Sequence, residues 1–358
     1  MSQETRDIIL RLGRKFLWLI LILVGLNILY RICWYGRDLK ENCSLIQLSR
    51  KPIQEHADII YLAESSNHSY DVHDTDTSHI SQMLGRHFPD HRISSLTKDA
   101  CHAGIYYDVL RNIPKKNDIQ TVIVTVNLRS FSSEWIYSDL EVPLQKEQVF
   151  MKKAPALFKR MLIAFKAYNH WTENEREEIV RDGIKRQKLD FPYYFPYKNA
   201  AAWDKAIGSQ DHLYNGQQVS MDTIVLTCHY IKSFAYQMSE DNPRVKDFDK
   251  IVKLCKRRGW RLVLHILPDN IDQIQALAGP DLVFLMKQNA NYIVKRYGPQ
   301  GVTVVNNQNI VRDRSFRDRD FPTEHYNQVG RQAIADAIAE QLEDLGKAPS
   351  EKNNLRNN

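Results

Sequence analysis

The chain has 358 residues, 43% apolar and 26% charged, a composition that fits a globular protein and gives no case for disorder. A formal charge of +6 is modest for this length and, without a zinc-finger, RNP or basic-zipper pattern, does not point to nucleic acid. The five cysteines (Cys33, Cys43, Cys101, Cys228, Cys255) form no C-x-x-C pair and no metal spacing, which argues against a disulfide scaffold.

Residues 1–15 are polar and carry Arg6, Arg11, Arg14 and Lys15. An apolar run follows from Phe16 to Tyr30 and extends through Arg31 to Tyr35. About 20 such residues span a bilayer core as a helix, and an arginine near one end can snorkel to the interface. No small-x-small cleavage site follows the run, so an uncleaved anchor over 16–35 is expected in place of a signal peptide. Four basic residues precede the apolar run Phe16–Tyr30, and Arg31, Arg37 and Lys40 follow it; this bias favours a cytoplasmic N-terminus. The expectation is a single-pass membrane protein with its main domain on the extracytoplasmic side.

Residues 36–55 read as a polar linker to a domain over 56–346. The run "DIIYLA" (58–63) is continuously apolar, as in a strand buried on both faces of a parallel sheet. A helix over 77–88, a strand over 91–97 and a helix over 104–113 stopped by Pro114 come next, then "QTVIVTVN" (120–127) as a third strand. "RLVLHILP" (261–268) and "VTVVNN" (302–307) are the last two strands, and a helix follows from Asn327 to Leu345. Strands alternating with helices predict a three-layer α/β/α sandwich around a mainly parallel five-stranded sheet. The gap between the third and fourth strands exceeds what one crossover needs. A mainly helical insertion over about 130–255 is therefore expected, with an amphipathic helix at 154–171 and an aromatic stretch at 191–203. The tail over 347–358 reads as disordered.

Open α/β sheets collect functional residues at the carboxyl ends of their strands. The first strand ends at Glu64-Ser65-Ser66, the second leads into "DACHAG" with Gly104, the third ends at Asn127, and the fifth is followed by "DRDFPTEHYNQVG" with His325. Taken singly, Ser65 is a plausible helix cap, Asn127 a turn residue and His325 a capping or surface histidine. His265, in mid-strand, reads as a core residue. His68, His73, His79, His87 and His91 with Asp71, Asp74 and Asp76 form a His/Asp-rich stretch, but its spacings match no zinc motif. No metal or cofactor is expected.

Together these blocks resemble the SGNH (GDSL-like) hydrolase superfamily. Its Gly-Asp-Ser block corresponds to Ala63-Glu64-Ser65, its glycine block to "CHAG", its asparagine block to "TVNLRS" and its closing block to "PTEHYNQVG". The resemblance implies the flavodoxin-like fold of that superfamily, with Ser65 as nucleophile and His325 as its base. It also implies an oxyanion hole made by the backbone N–H groups of Ser65 and Gly104 and the Asn127 amide. The family places an acid three residues before the histidine, where this chain has Pro322. Asp320 is the first substitute and Asp318 the second. Glu324 and a Ser-His dyad without an acid also remain open, with Ser66 and His68 as alternates near the nucleophile. An anchor joined to such a domain is similar to DltD-like and alginate-acetylation-like proteins, which implies an acylated cell-surface carbohydrate or polymer as substrate and a membrane-bound O-acyltransferase as partner. A catalytically degenerate accessory protein and a lipid-directed esterase are the alternatives.

Overall fold

The structure, a computed structural model, describes residues 3–209, 213–214, 217–218 and 221–342. The expected tail at 347–358 and the end of the last helix at Leu345 lie outside them. Five strands, β1 (Ile59–Ala63), β2 (Ile93–Thr97), β3 (Thr121–Val126), β4 (Arg261–Ile266) and β5 (Thr303–Asn306), form a fully parallel sheet in the order β2-β1-β3-β4-β5. This is the doubly wound α/β architecture expected from the sequence. The inner strands β1 and β3 are nearly continuous apolar runs because both faces are covered, every residue of each being buried, whereas the edge strand β2 (Ile-Ser-Ser-Leu-Thr) is buried only at alternate residues.

Side chains alternate across the sheet. Ile59, Tyr61, Ala63, Ile123, Val263 and Val305 face one side and pack with helices Ile80–His87 and Gln328–Glu340. The intervening residues face the other side, where helix Ala103–Asn112 packs on helix Pro243–Arg258. His265 is fully buried in β4, its Nε2 lying 2.9 Å from the Tyr61 hydroxyl, and burial pushes its pKa down to about 3.

The chain divides into two compact units: Met1–Gln47 with Val142–His170, and Leu48–Glu141 with Trp171–Asn358. The second contains the sheet. Of the expected insertion, residues 142–170 group with the N-terminal segment and the remainder with the sheet. Residues 36–55, expected as a linker, are largely helical (Tyr35–Asn42 and Ser44–Gln54); Leu45 and Ser49, one turn apart, are buried, a pattern hidden by polar composition. The helix expected over 154–171 is shorter, Ala156–Ala164. In the aromatic stretch, Phe195 packs edge-on against Trp203, which is buried, whereas Tyr194 is exposed.

Among the described residues one helix, Gln3–Cys33, is long and apolar enough to cross a membrane. Its 31 residues extend about 46 Å at 1.5 Å per residue.

Candidate active site

The carboxyl end of β1 runs into a single 3-10 turn, Ser65–Asn67, capped by Glu64, whose carboxylate accepts from Ser66 N. This abrupt strand-to-turn junction holds the Ser65 side chain at the sheet's carboxyl edge. Its Oγ is 2.9 Å from His325 Nε2 and 3.0 Å from Glu64 Oε2. Ser66 is fully buried. His68 pairs with Asp99 at 3.2 Å, whereas the ring beside Ser65 Oγ is that of His325.

His325 sits on a small hairpin. Phe316 and Tyr326 form an antiparallel bridge, and Arg317 N donates to His325 O, bringing the two strands of the hairpin into register. That register sets Asp318 across from the histidine, with Oδ2 2.5 Å from His325 Nδ1. The first-choice acid, Asp320, lies further out on the loop and is exposed. Of the two substitutes, Asp318 is the carboxylate that pairing across the hairpin brings to the His325 ring, a placement that counting residues back from the histidine does not give.

The hairpin is anchored from both sides. Tyr326 is fully buried and its hydroxyl donates to Pro268 O at the end of β4. Asn327 caps the last helix by accepting from Gly330 N, and a Cβ on Gly330 would come 2.9 Å from Tyr326 Cβ and 3.2 Å from Ser315 O. Arg331, fully buried, donates to the carbonyls of Ser69, Ser78 and Tyr326 and to Asp74. The closing sequence pattern thus has structural reasons: a cap, a close approach and a clamp beside one catalytic-type histidine.

The remaining expected residues stand at strand or helix ends but face other partners. Asn127, at the end of β3, gives its amide Nδ2 to Glu324 Oε2 at 2.8 Å. Gly104 N donates to the ring Nδ1 of His102, its own helix cap, at 3.1 Å. His102 is buried, its pKa lowered by burial and by Arg244, and its Nε2 is 3.1 Å from Glu141. In this arrangement the Gly104 N–H is taken by His102, and one of the two Nδ2 hydrogens of Asn127 is taken by Glu324. Glu324 is not oriented on the His325 ring; it is buried and paired with Arg129 Nη2 at 2.7 Å. Arg129 also donates to Pro322 O and lies over the Trp135 ring, 4.4 Å from its centroid.

Two carboxyls near Glu324 escaped the sequence reading. Glu64 is buried, and desolvation with the negative charge of Glu324 raises its pKa. Asp269 is also buried and raised well above the usual carboxylate range, by desolvation and again by Glu324. Arg129 is the cation acting on both carboxyls. The signals for this cluster lay in plain view, in Glu64 beside the serine and Arg129 two residues after Asn127, but nothing local marks an ionisable residue as buried.

No family model and no curated protein matches this sequence. Among solved structures it is similar to a GDSL-like lipase from Bacteroides thetaiotaomicron, at 9% identity and a TM-score of 0.35, over 87% of this chain and 98% of that one. It is also similar to a carbohydrate acetylesterase from Sinorhizobium meliloti, at 8% identity and a TM-score of 0.33, over 80% of this chain and 98% of that one.

Proposed function

We propose that the protein is a serine esterase or O-acyltransferase that works through an acyl-enzyme on Ser65. The observation that carries this reading is the line Ser65 Oγ, His325 Nε2, His325 Nδ1, Asp318 Oδ2, with contacts of 2.9 and 2.5 Å. A serine hydroxyl needs an adjacent base to become a nucleophile, and the base needs its far nitrogen held by an acceptor.

In the first step Ser65 Oγ bonds to the ester carbonyl carbon while its proton passes to His325 Nε2. Asp318 accepts the Nδ1 hydrogen bond and stabilises the imidazolium. Collapse of the tetrahedral intermediate breaks the bond to the leaving alcohol, which takes the proton back from His325. His325 then deprotonates water or an acceptor hydroxyl, which attacks the acyl-Ser65 ester; the Ser65 oxygen leaves and regains its proton. Water as acceptor makes an esterase, a carbohydrate hydroxyl makes a transferase.

The anchor helix supports a membrane-tethered enzyme with this domain on the extracytoplasmic side. In that setting an acylated cell-surface carbohydrate or polymer is the substrate, and a membrane-bound O-acyltransferase is the partner that supplies acyl groups. A second reading has one specific observation in its favour. Gly104 N–H and the Asn127 amide are engaged by His102 and Glu324, which suits a fold kept for binding or scaffolding without turnover.

Fluorophosphonate labelling separates the two. The catalytic reading expects labelling of the wild type that is lost in Ser65→Ala and His325→Ala and kept in Ser66→Ala. A folded wild-type protein that does not label supports the accessory reading instead.

A further inference from the structure

Helix Ala156–Ala164, in the unit that also holds Gln3–Cys33, turns an apolar stripe outward. Phe158, Met161 and Phe165, spaced three and four residues apart, form one stripe and are 50%, 44% and 77% exposed. Of the two cations of this helix, Arg160 is exposed and lies 3.7 Å from Asp38, whereas Lys159 points inward: it is 7% exposed and donates to Phe150 O at 2.8 Å and to the Tyr35 hydroxyl at 3.1 Å. A soluble helix places its polar face outward and its apolar stripe toward the core. Here a lysine shares the buried face with Ala156 and Ile163, while the outward face carries the apolar stripe beside Arg160.

The position of the helix says what covers the stripe. Leu157 N, one of the backbone donors that a helix start leaves without an intrahelical partner, donates to Asn27 Oδ1 at 2.9 Å. Asn27 lies within the apolar segment 16–35, six residues before the end of helix Gln3–Cys33, or about 9 Å along its axis. Ile28, Leu29, Ile32 and Trp34 of the same segment are exposed beside it. The start of helix Ala156–Ala164 is thus fixed at a level inside the end of the apolar segment, comparable with the depth of about 5–10 Å at which interfacial helices lie. Exposed Lys152 and Lys153 precede the helix and exposed Lys166 follows it, which suits anionic headgroups.

We infer that helix Ala156–Ala164 is an interfacial membrane helix, with Phe158, Met161 and Phe165 inserted among the lipid acyl chains next to the anchor. The inference rests on the reading of Gln3–Cys33 as a membrane span. The occupant of the stripe is the bilayer itself, so this segment fixes how the first unit meets the membrane surface.

The test uses the full chain in nanodiscs of phosphatidylcholine and phosphatidylglycerol. The photo-crosslinking residue p-benzoylphenylalanine is placed singly at Phe165, at Leu23 in the apolar segment, and at Tyr194, which is 88% exposed. After illumination, lipid adducts are read by mass spectrometry. The inference expects adducts at Phe165 comparable to those at Leu23 and at least about tenfold above Tyr194, as an apolar face seated in the acyl boundary requires. Adducts at Leu23 with Phe165 at the level of Tyr194 overturn the inference and leave the span intact. Adducts between two copies through Phe165 overturn it in favour of self-association. Absence of adducts at both Leu23 and Phe165 removes the span and the inference together.

Discussion

Asp318 Oδ2 and His325 Nδ1 are 2.5 Å apart because Phe316 and Tyr326 bridge the two arms of one hairpin. The acid is therefore a tertiary contact made within a short segment. Asp318→Asn should lower kcat/KM by on the order of 100- to 10,000-fold, through loss of the tautomer that exposes Nε2 as a base. Asp320→Asn, on the exposed loop, should leave the rate near wild type. Steady-state kinetics on a chromogenic acetyl ester compare the two, and equal losses would place the acid elsewhere.

Glu324 and Arg129 form a buried ion pair that also receives the Asn127 amide, so the end of β3 is tied to the histidine hairpin. Removing one partner leaves an uncompensated buried charge. Glu324→Ala should destabilise by about 3–5 kcal/mol, and Arg129→Met with Glu324→Leu by much less, since both charges are then gone. Urea denaturation of the single and double variants measures the difference. The same cut should lower activity, because Arg129 also holds Pro322 O, three residues from His325.

The fold was legible because a doubly covered parallel sheet needs continuous apolar strands, and "IIYLA" and "TVIVTV" are such runs. The positions of Ser65, Gly104, Asn127 and His325 were legible for a related reason, since each stands just past a strand or opens a helix. What was not legible depends on long-range geometry. The pairing of Asp318 follows from hairpin register, and the capture of Gly104 N–H by His102 follows from the rotamer of a buried ring held near Glu141. Glu64, Asp269 and Arg129 look like surface residues in a string of letters; only packing reveals that they share one buried region. The division of the insertion between two units likewise has no local signature.

Glu64 Oε2 competes with His325 Nε2 for the Ser65 proton. Burial and Glu324 raise the Glu64 pKa, so its carboxylate forms at a higher pH than an ordinary glutamate's. As pH rises through that pKa, a carboxylate forms beside Ser65, holds its proton and opposes the developing oxyanion. The pH profile of kcat/KM should therefore show a limb that falls as pH rises through the Glu64 pKa in the wild type, and Glu64→Gln should lack it while keeping the rate on the plateau. A Gln variant with the same limb would assign that limb to another group.

Gly330 packs against the residue next to His325. Its added Cβ would meet Tyr326 Cβ at 2.9 Å and the Ser315 carbonyl at 3.2 Å, neither of which is the end of a flexible side chain. Gly330→Ala should cost about 1–3 kcal/mol as an overpacked site. Activity should fall with it, because the displaced atoms carry the hairpin. The thermal midpoint and the fluorophosphonate labelling rate check both effects, and a variant with wild-type values would show that the last helix can shift without disturbing the site.

His265 supplies a stability test independent of catalysis. Its folded pKa is lowered by burial to about 3, against an ordinary value of 6.5. Above 6.5 both folded and unfolded chains hold it neutral, and the folded state is at its full advantage. Below 6.5 the unfolded chain binds a proton that the folded chain refuses, so stability falls as pH drops toward 3. The slope from this one group is about 1.4 kcal/mol per pH unit. His265→Gln should be less stable at neutral pH, through loss of the ring and its Tyr61 contact, but its stability should decline less steeply between pH 6 and pH 4 by about one proton's worth. Urea midpoints across that range decide the matter: parallel curves for wild type and variant would mean that the ring takes up its proton in the folded state, and that the Tyr61 contact does not keep it neutral.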